Sequence, residues 1–254
     1  MKIKQSFRIF LFLLLLISVG ACSYLPEEVD LISGVELEEK ADYISLLPES
    51  GSTKPLGFMF YAGGLVDAHA YIPTFQALVQ EGYVVIIIKS VSNLAILSSG
   101  KSQGLLDKFE GVEDWVLGGH SLGAVVAAID VAANPDDYKG LVLLAGYPTA
   151  NDDLSDWNGT VLSLWGELDG VLDPITIEDN KYLLPTAVVV DSLSNMPVSS
   201  TLGQSLYHEI KGGNHGQFGA YGIQKGDNPA TITASIQHQV VVDFIGSFFN
   251  ANNW

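Results

Sequence analysis

The chain has 254 residues, 48% of them hydrophobic and 16% charged, a composition that excludes a mainly disordered protein. Twelve basic residues stand against 29 acidic ones, a formal net charge of -17. With no basic patch to offset phosphate repulsion, this argues against nucleic acid as a partner and disfavours anionic lipid head groups. The length suits one domain with a full core.

Residues 1–21 have a basic start (Lys2, Lys4, Arg8), an apolar centre over 9–19 and a small-residue end, Gly20-Ala21. That is the layout of a secretory signal, and the centre falls short of the roughly 20 residues a membrane span needs. Cys22, the only cysteine, follows at once. The junction resembles a bacterial lipobox, in which the cysteine is lipidated and becomes the mature N-terminus; a plain signal peptide cut after Ala21 is the alternative. The expectation is an exported lipoprotein, at the cell surface or on the periplasmic side, that meets the membrane through its N-terminal anchor. Without a second cysteine no intrachain disulfide can form. The leader removes three basic residues and no acids, which leaves nine against 29, a net charge of -20. Residues 22–40 read as a tether and N-terminal segment, and 41–254 as the domain.

Strand-like stretches over 42–47, 56–61, 83–89, 114–117, 140–145, 160–165 and 205–210 alternate with helix-like ones over 70–80, 121–133, 175–183 and 231–250. The alternation predicts an α/β fold with a mainly parallel sheet flanked by helices. Several strands are nearly continuous runs of Val, Ile and Leu, as expected when both faces are buried. In the last helix Ile232, Ile236, Val240, Phe244 and Phe248 recur at four-residue spacing and predict a core-facing stripe. Residues 191–204 are polar and small, and read as a loop or insertion.

Gly119-His120-Ser121-Leu122-Gly123 carries the chemistry. A Gly-x-Ser-x-Gly between an apolar strand and an apolar helix suits a nucleophile elbow, a sharp turn that exposes the serine hydroxyl. The helix that follows points its first amides at the same place. A serine needs a base in reach, and the base needs an acid to orient it. The acid expected after strand 160–165 is Asp169, which sits deeper in its loop than Glu167; Glu167 and Asp173 are the alternatives. His215, in Lys211-Gly212-Gly213-Asn214-His215-Gly216, is the base. His120 is expected to point away from Ser121 and pack the turn, and His69, His208 and His238 to have surface or packing roles. For the oxyanion, the Leu122 amide is one donor. The Tyr61-Ala62-Gly63-Gly64-Leu65 loop supplies the other, Gly64 first and Leu65 next. No His, Cys or carboxylate spacing suits zinc, so neither metal nor cofactor is expected.

Three segments together resemble the α/β-hydrolase superfamily, and within it a group of small bacterial hydrolases. They are Phe60-Tyr61-Ala62-Gly63-Gly64-Leu65-Val66-Asp67 with Ala70-Tyr71 and Pro73; Gly118-Gly119-His120-Ser121-Leu122-Gly123-Ala124; and Gly212-Gly213-Asn214-His215-Gly216-Gln217-Phe218-Gly219 with Tyr221-Gly222. The resemblance implies a twisted, mainly parallel sheet, a Ser121-Asp169-His215 triad and carboxylic ester hydrolysis. The stretch between Leu184 and Tyr207 is longer than that pattern needs.

Only residues 146–159 separate the strand after the nucleophile helix from the next one, too few for a helical cap. A minimal cap predicts a shallow, open site for small or short-chain esters, with Leu65, Tyr147 and Trp157 at its rim. Asp67, Asp152, Asp153 and Asp156 are expected around the entrance, disfavouring anionic substrates. Acyl transfer, thioester cleavage and amide cleavage suit the same triad. A catalytically silent surface lipoprotein that uses the scaffold for binding is the reading from another class. Oligomeric state is not legible.

Overall fold

The computed structural model describes residues 23–28, 30–49, 53–197 and 202–254. Cys22 and the leader before it lie outside these residues. Nine strands form one sheet: β1 (Val35–Glu39), β2 (Tyr43–Pro48), β3 (Leu56–Tyr61), β4 (Val84–Ile88), β5 (Asp114–His120), β6 (Gly140–Leu144), β7 (Thr160–Gly166), β8 (Thr186–Val189) and β9 (Gln204–Ile210). Their order is β1-β2-β4-β3-β5-β6-β7-β9-β8. From β4 to β8 all neighbours are parallel, while β1 and β2 are antiparallel. Parallel alignment brings the loops after β3, β4, β5, β6, β7 and β9 to one edge, where such sheets hold their ligands.

Four helices cover the two faces: α1 (Ile72–Gln80), α2 (Leu122–Ala133), α3 (Pro174–Asn180) and α4 (Ala234–Ala251). Alternate side chains of β3 divide between the two cores. Phe58 and Phe60 pack with α1 and α4, whereas Met59 and Tyr61 pack with α2 and α3. The buried stripe of α4 is Val241, Phe244, Ile245 and Phe248, an i, i+3, i+4, i+7 face. Ile236 lies outside that stripe, exposed, and Ile232 precedes the helix, so the simple four-residue spacing drifted off the true face. Only turns connect β6 to β7, so the cap is minimal.

Two strands escaped the sequence reading. β1, Val-Glu-Leu-Glu-Glu, is an acidic outer strand with little apolar surface, and β8 is an exposed edge strand. β8 accounts for part of the extra length between Leu184 and Tyr207. The stretch expected to be a tether lies along the domain. Tyr24 N–H donates to Leu65 O (2.7 Å), Asp67 N–H donates to Tyr24 O (3.0 Å), and Glu27 N–H donates to Ala220 O (2.8 Å).

One buried carboxylate ties α2 to the loop after β4. Asp130 accepts from Tyr61 Oη (2.7 Å), Ser99 Oγ (2.7 Å), Ser102 Oγ (2.7 Å) and Gly100 N (2.8 Å). Burial, with Asp130 adjacent, pushes the Tyr61 phenol far above its usual range, so it stays a donor. We expect Asp130→Ala to cost about 3 kcal/mol, because it leaves buried hydroxyls without an acceptor. Chemical denaturation measures this, and Asp130→Asn should cost less.

Candidate active site

Ser121 follows β5 directly, and its N–H still donates to Leu144 O of β6 (2.9 Å). Its backbone has φ 53° and ψ -119°, a strained conformation for a residue with a side chain. The hydroxyl does not cap α2. The two glycines of the motif permit this geometry by close approach. A Cβ on Gly119 would stand 2.2 Å from Gly123 O, and one on Gly123 would stand 2.2 Å from Tyr61 O. Strain gathers along this edge: Leu65, Ser92, Asn93 and Ala145 also have positive φ, each in a loop that follows a strand.

Asp169 and His215 come together from the loops after β7 and β9. His215 Nδ1 and Asp169 Oδ2 are 2.7 Å apart, and both side chains are buried. An ionised carboxylate only accepts, so Nδ1 carries the hydrogen and Nε2 keeps a free lone pair. Nε2 has no hydrogen-bond partner among the described residues. Asp169 Oδ1 accepts from Val171 N (2.9 Å) and Leu172 N (2.7 Å), which fixes the carboxylate. The other two candidate acids are spent locally. Glu167 accepts from Gly212 N (2.9 Å), and Asp173 caps α3 at Ile175 N (3.0 Å).

Gly64 and Leu122 pack against each other, with a Cβ on Gly64 reaching 3.3 Å from Leu122 Cδ2. The neighbouring amides are committed. Gly63 N–H donates to Tyr71 Oη (2.9 Å) and Leu65 N–H donates to Asn93 O (2.6 Å). The Gly64 and Leu122 amides have no acceptor among the described residues. Two uncommitted amides, one of them on the residue after Ser121 and the other on a residue that touches its side chain, offer a place for a developing negative charge.

His120 packs the turn and also touches the catalytic edge. Its ring centroid lies 4.5 Å from that of His215 and 5.3 Å from that of Phe218. Tyr71 Oη, which accepts from Gly63, lies 2.8 Å from His120 Nδ1. The phenol hydrogen has no other acceptor among the described residues, so it donates to Nδ1 and the His120 hydrogen sits on Nε2. Burial, then the nearby His215, holds His120 well below the usual imidazole range. The His215 main chain offsets part of this, though Nε2 has no partner in good hydrogen-bond geometry.

Asp227 is a site residue the sequence reading missed. It joins the acid loop to the histidine loop, with Oδ1 accepting from Gly170 N (2.9 Å) and His215 N (3.3 Å), and Oδ2 from Gly216 N (2.7 Å). Its signal was the turn-rich Gly226-Asp227-Asn228-Pro229, where a carboxylate collects main-chain donors. Tyr147 follows Gly146, where a Cβ would stand 2.5 Å from Ala124 Cβ and 3.0 Å from the Ser121 carbonyl, so this loop passes beside the elbow, and Leu65 follows Gly64, which touches Leu122.

Trp157 needs correction as a rim residue. It precedes β7 and so sits at the opposite edge of the sheet, where its Nε1 donates to Pro135 O (3.1 Å). Asp153 and Asp156 line the same remote hollow, so they do not ring the site. Asp67 is beside the Gly63-Gly64 loop, where it accepts from His69 N (3.0 Å).

A sequence model of the Alpha/beta hydrolase family matches residues 57–239. The chain belongs to that family. Among solved structures it is similar to a predicted CIB-like hydrolase from Thermoplasma acidophilum, with TM-score 0.59 and 15% identity over 84% of this chain and 99% of that one. Est1E from Butyrivibrio proteoclasticus, with ferulic acid bound, gives TM-score 0.58 at 12% identity over 87% and 98%. Dienelactone hydrolase from Anabaena variabilis gives 0.57 at 12% over 85% and 97%. At these identities the likeness concerns the fold. A comparison with curated proteins found no match.

Two predictions follow from the site's geometry. Asp227→Ala should lower kcat by about a hundredfold, the scale of a misplaced catalytic group, with little loss of thermal stability; unchanged kcat would exclude the bridging role. The second concerns pH. His120 is buried neutral, and burial lowers His238 to about 4 from 6.5. The unfolded chain therefore binds protons first, and their stabilisation, complete above 6.5, is lost as pH falls toward 4. Denaturation midpoints should fall across that window, and His238→Gln should flatten the fall.

Proposed function

We propose that the protein is a serine hydrolase of carboxylic esters that works through an acyl-enzyme on Ser121. The observation that carries this reading is the His215–Asp169 pair. It presents an unpartnered Nε2 at the edge where the strained Ser121 turn and two uncommitted amides meet.

In the proposed cycle His215 Nε2 takes the Ser121 proton as Oγ attacks the ester carbonyl carbon. The Gly64 and Leu122 amides hold the resulting oxyanion. As the tetrahedral intermediate collapses, the bond to the leaving alcohol breaks and His215 gives that oxygen the proton. Water then attacks the acyl-enzyme, losing a proton to His215; as that intermediate collapses the acid leaves and His215 returns the proton to Ser121 Oγ. Asp169 holds the imidazole in the tautomer that this requires. His120 and Tyr71 set the position of the Gly63-Gly64 loop and of His215 without meeting the substrate.

The minimal cap supports an open site for small or short-chain esters, with Leu65 and Tyr147 at its rim. The leader and Cys22 support export and lipid anchoring, so the enzyme would act outside the cytoplasm, held at a membrane. Turnover of an activated ester tests the roles. Ser121→Ala should lower kcat by about 10⁶-fold, and Asp169→Asn by about 10⁴-fold, because it favours the wrong tautomer. Parent-like turnover in Ser121→Ala would remove the serine from the mechanism.

A further inference from the structure

We infer that the edge of the sheet holding Ser121, His215 and Asp169 rests on a neutral or zwitterionic lipid surface, so that the active site opens toward the membrane. The inference rests on the anchoring of Cys22 proposed above and adds a direction to it.

Residues 24–27 are pinned beside the site. Tyr24 makes two main-chain hydrogen bonds to the Leu65–Asp67 stretch beside the Gly63-Gly64 loop, and Glu27 bonds to Ala220 in the histidine loop. The Tyr24 ring packs on Tyr221, with centroids 5.5 Å apart, and its hydroxyl accepts from Lys225 N (3.2 Å). The segment is therefore fixed between the Leu65–Asp67 stretch and the loop that follows His215. Cys22 precedes Tyr24 by two residues, a span of at most about 7 Å. A lipid on Cys22 would be attached beside the oxyanion loop, with no free tether to let the domain turn over.

Independently of the anchor, large apolar side chains are exposed in the loops of this edge. Leu25 is 68% exposed in the pinned segment, and Ile223 is 95% exposed in the loop after His215. Val91 and Leu97 are exposed after β4, in the loop whose Asn93 carbonyl holds the Leu65 amide. Ile175 is exposed in the first turn of α3, beyond Asp169. Single exposed apolar residues are ordinary, and Tyr182, Val189 and Ile236 are exposed elsewhere, but five in the loops and the pinned segment of one edge mark an interaction surface. Glu27, Glu28, Asp67 and Asp173 stand in these loops beside Lys89, Lys101 and Lys225, and the chain as a whole carries a net charge of -17, so an anionic surface would be repelled and a neutral one accepted. The substrate would then be an ester presented at the lipid interface, its scissile group entering the open site without crossing water.

The test uses the full chain, produced in a host that processes bacterial lipoproteins and reconstituted into phosphatidylcholine vesicles containing a nitroxide lipid. A fluorophore is placed on Ile223→Cys at the proposed contact, or on Asp136→Cys in the turn before β6 at the opposite edge. Quenching should be severalfold stronger at position 223, and equal or reversed quenching overturns the orientation. Sedimentation with the vesicles reports the anchor separately; protein that stays in the supernatant removes the basis of the inference. Turnover of a soluble ester by the unsubstituted protein reports the hydrolase reading: its absence, with quenching as expected, overturns that reading and leaves the orientation standing. In Leu25→Asp/Ile223→Asp, turnover of a vesicle-borne ester should fall severalfold while soluble-ester turnover stays unchanged. Equal turnover of both by this variant also overturns the proposal.

Discussion

Gly123 sits so close to β3 that a methyl group on it would overlap the Tyr61 carbonyl, and Gly119 meets Gly123 with the same lack of space. The rest of the site depends on this contact. It draws the first turn of α2 onto the end of β3, and the chain between strand and helix must then turn through the strained Ser121 conformation. The same approach sets the Leu122 side chain against Gly64, which follows β3. Ser121 and the first turn of α2 are thus positioned by one piece of backbone packing.

Side chains then lock the loops. Tyr71 links the Gly63 amide to His120, and the His120 ring lies against His215, so the Gly63-Gly64 loop and His215 share a buried support. Asp227 performs the corresponding task between the Asp169 and His215 loops. Buried carboxylates recur as fasteners in this molecule. Asp130 and Asp169 each satisfy their oxygens with donors from separate stretches, so a charge that burial would penalise holds a loop in place.

The central parallel strands β3 to β7 were legible in the sequence because both faces of each are buried, so they read as apolar runs. The order of the elbow, the acid loop and the histidine loop followed from the chain itself. Edge elements were harder: β1 and β8 bury too little to leave a pattern. Trp157 was misread because a connection from the end of β6 to the start of β7 crosses the whole sheet, and nothing local says how far along it a residue lies. Tyr71, His120 and Asp227 were invisible as a network, since their partners are distant in sequence and meet only in the folded chain.

The proposed chemistry turns on Ser121 as a nucleophile activated by a buried imidazole, in a domain whose open edge is proposed to face a lipid surface. Reaction with a fluorophosphonate followed by peptide mapping tests its central claim most directly. The account predicts one phosphonyl adduct, on Ser121, with no adduct in the His215→Ala variant. An unlabelled parent protein, or an adduct on another residue, would contradict it.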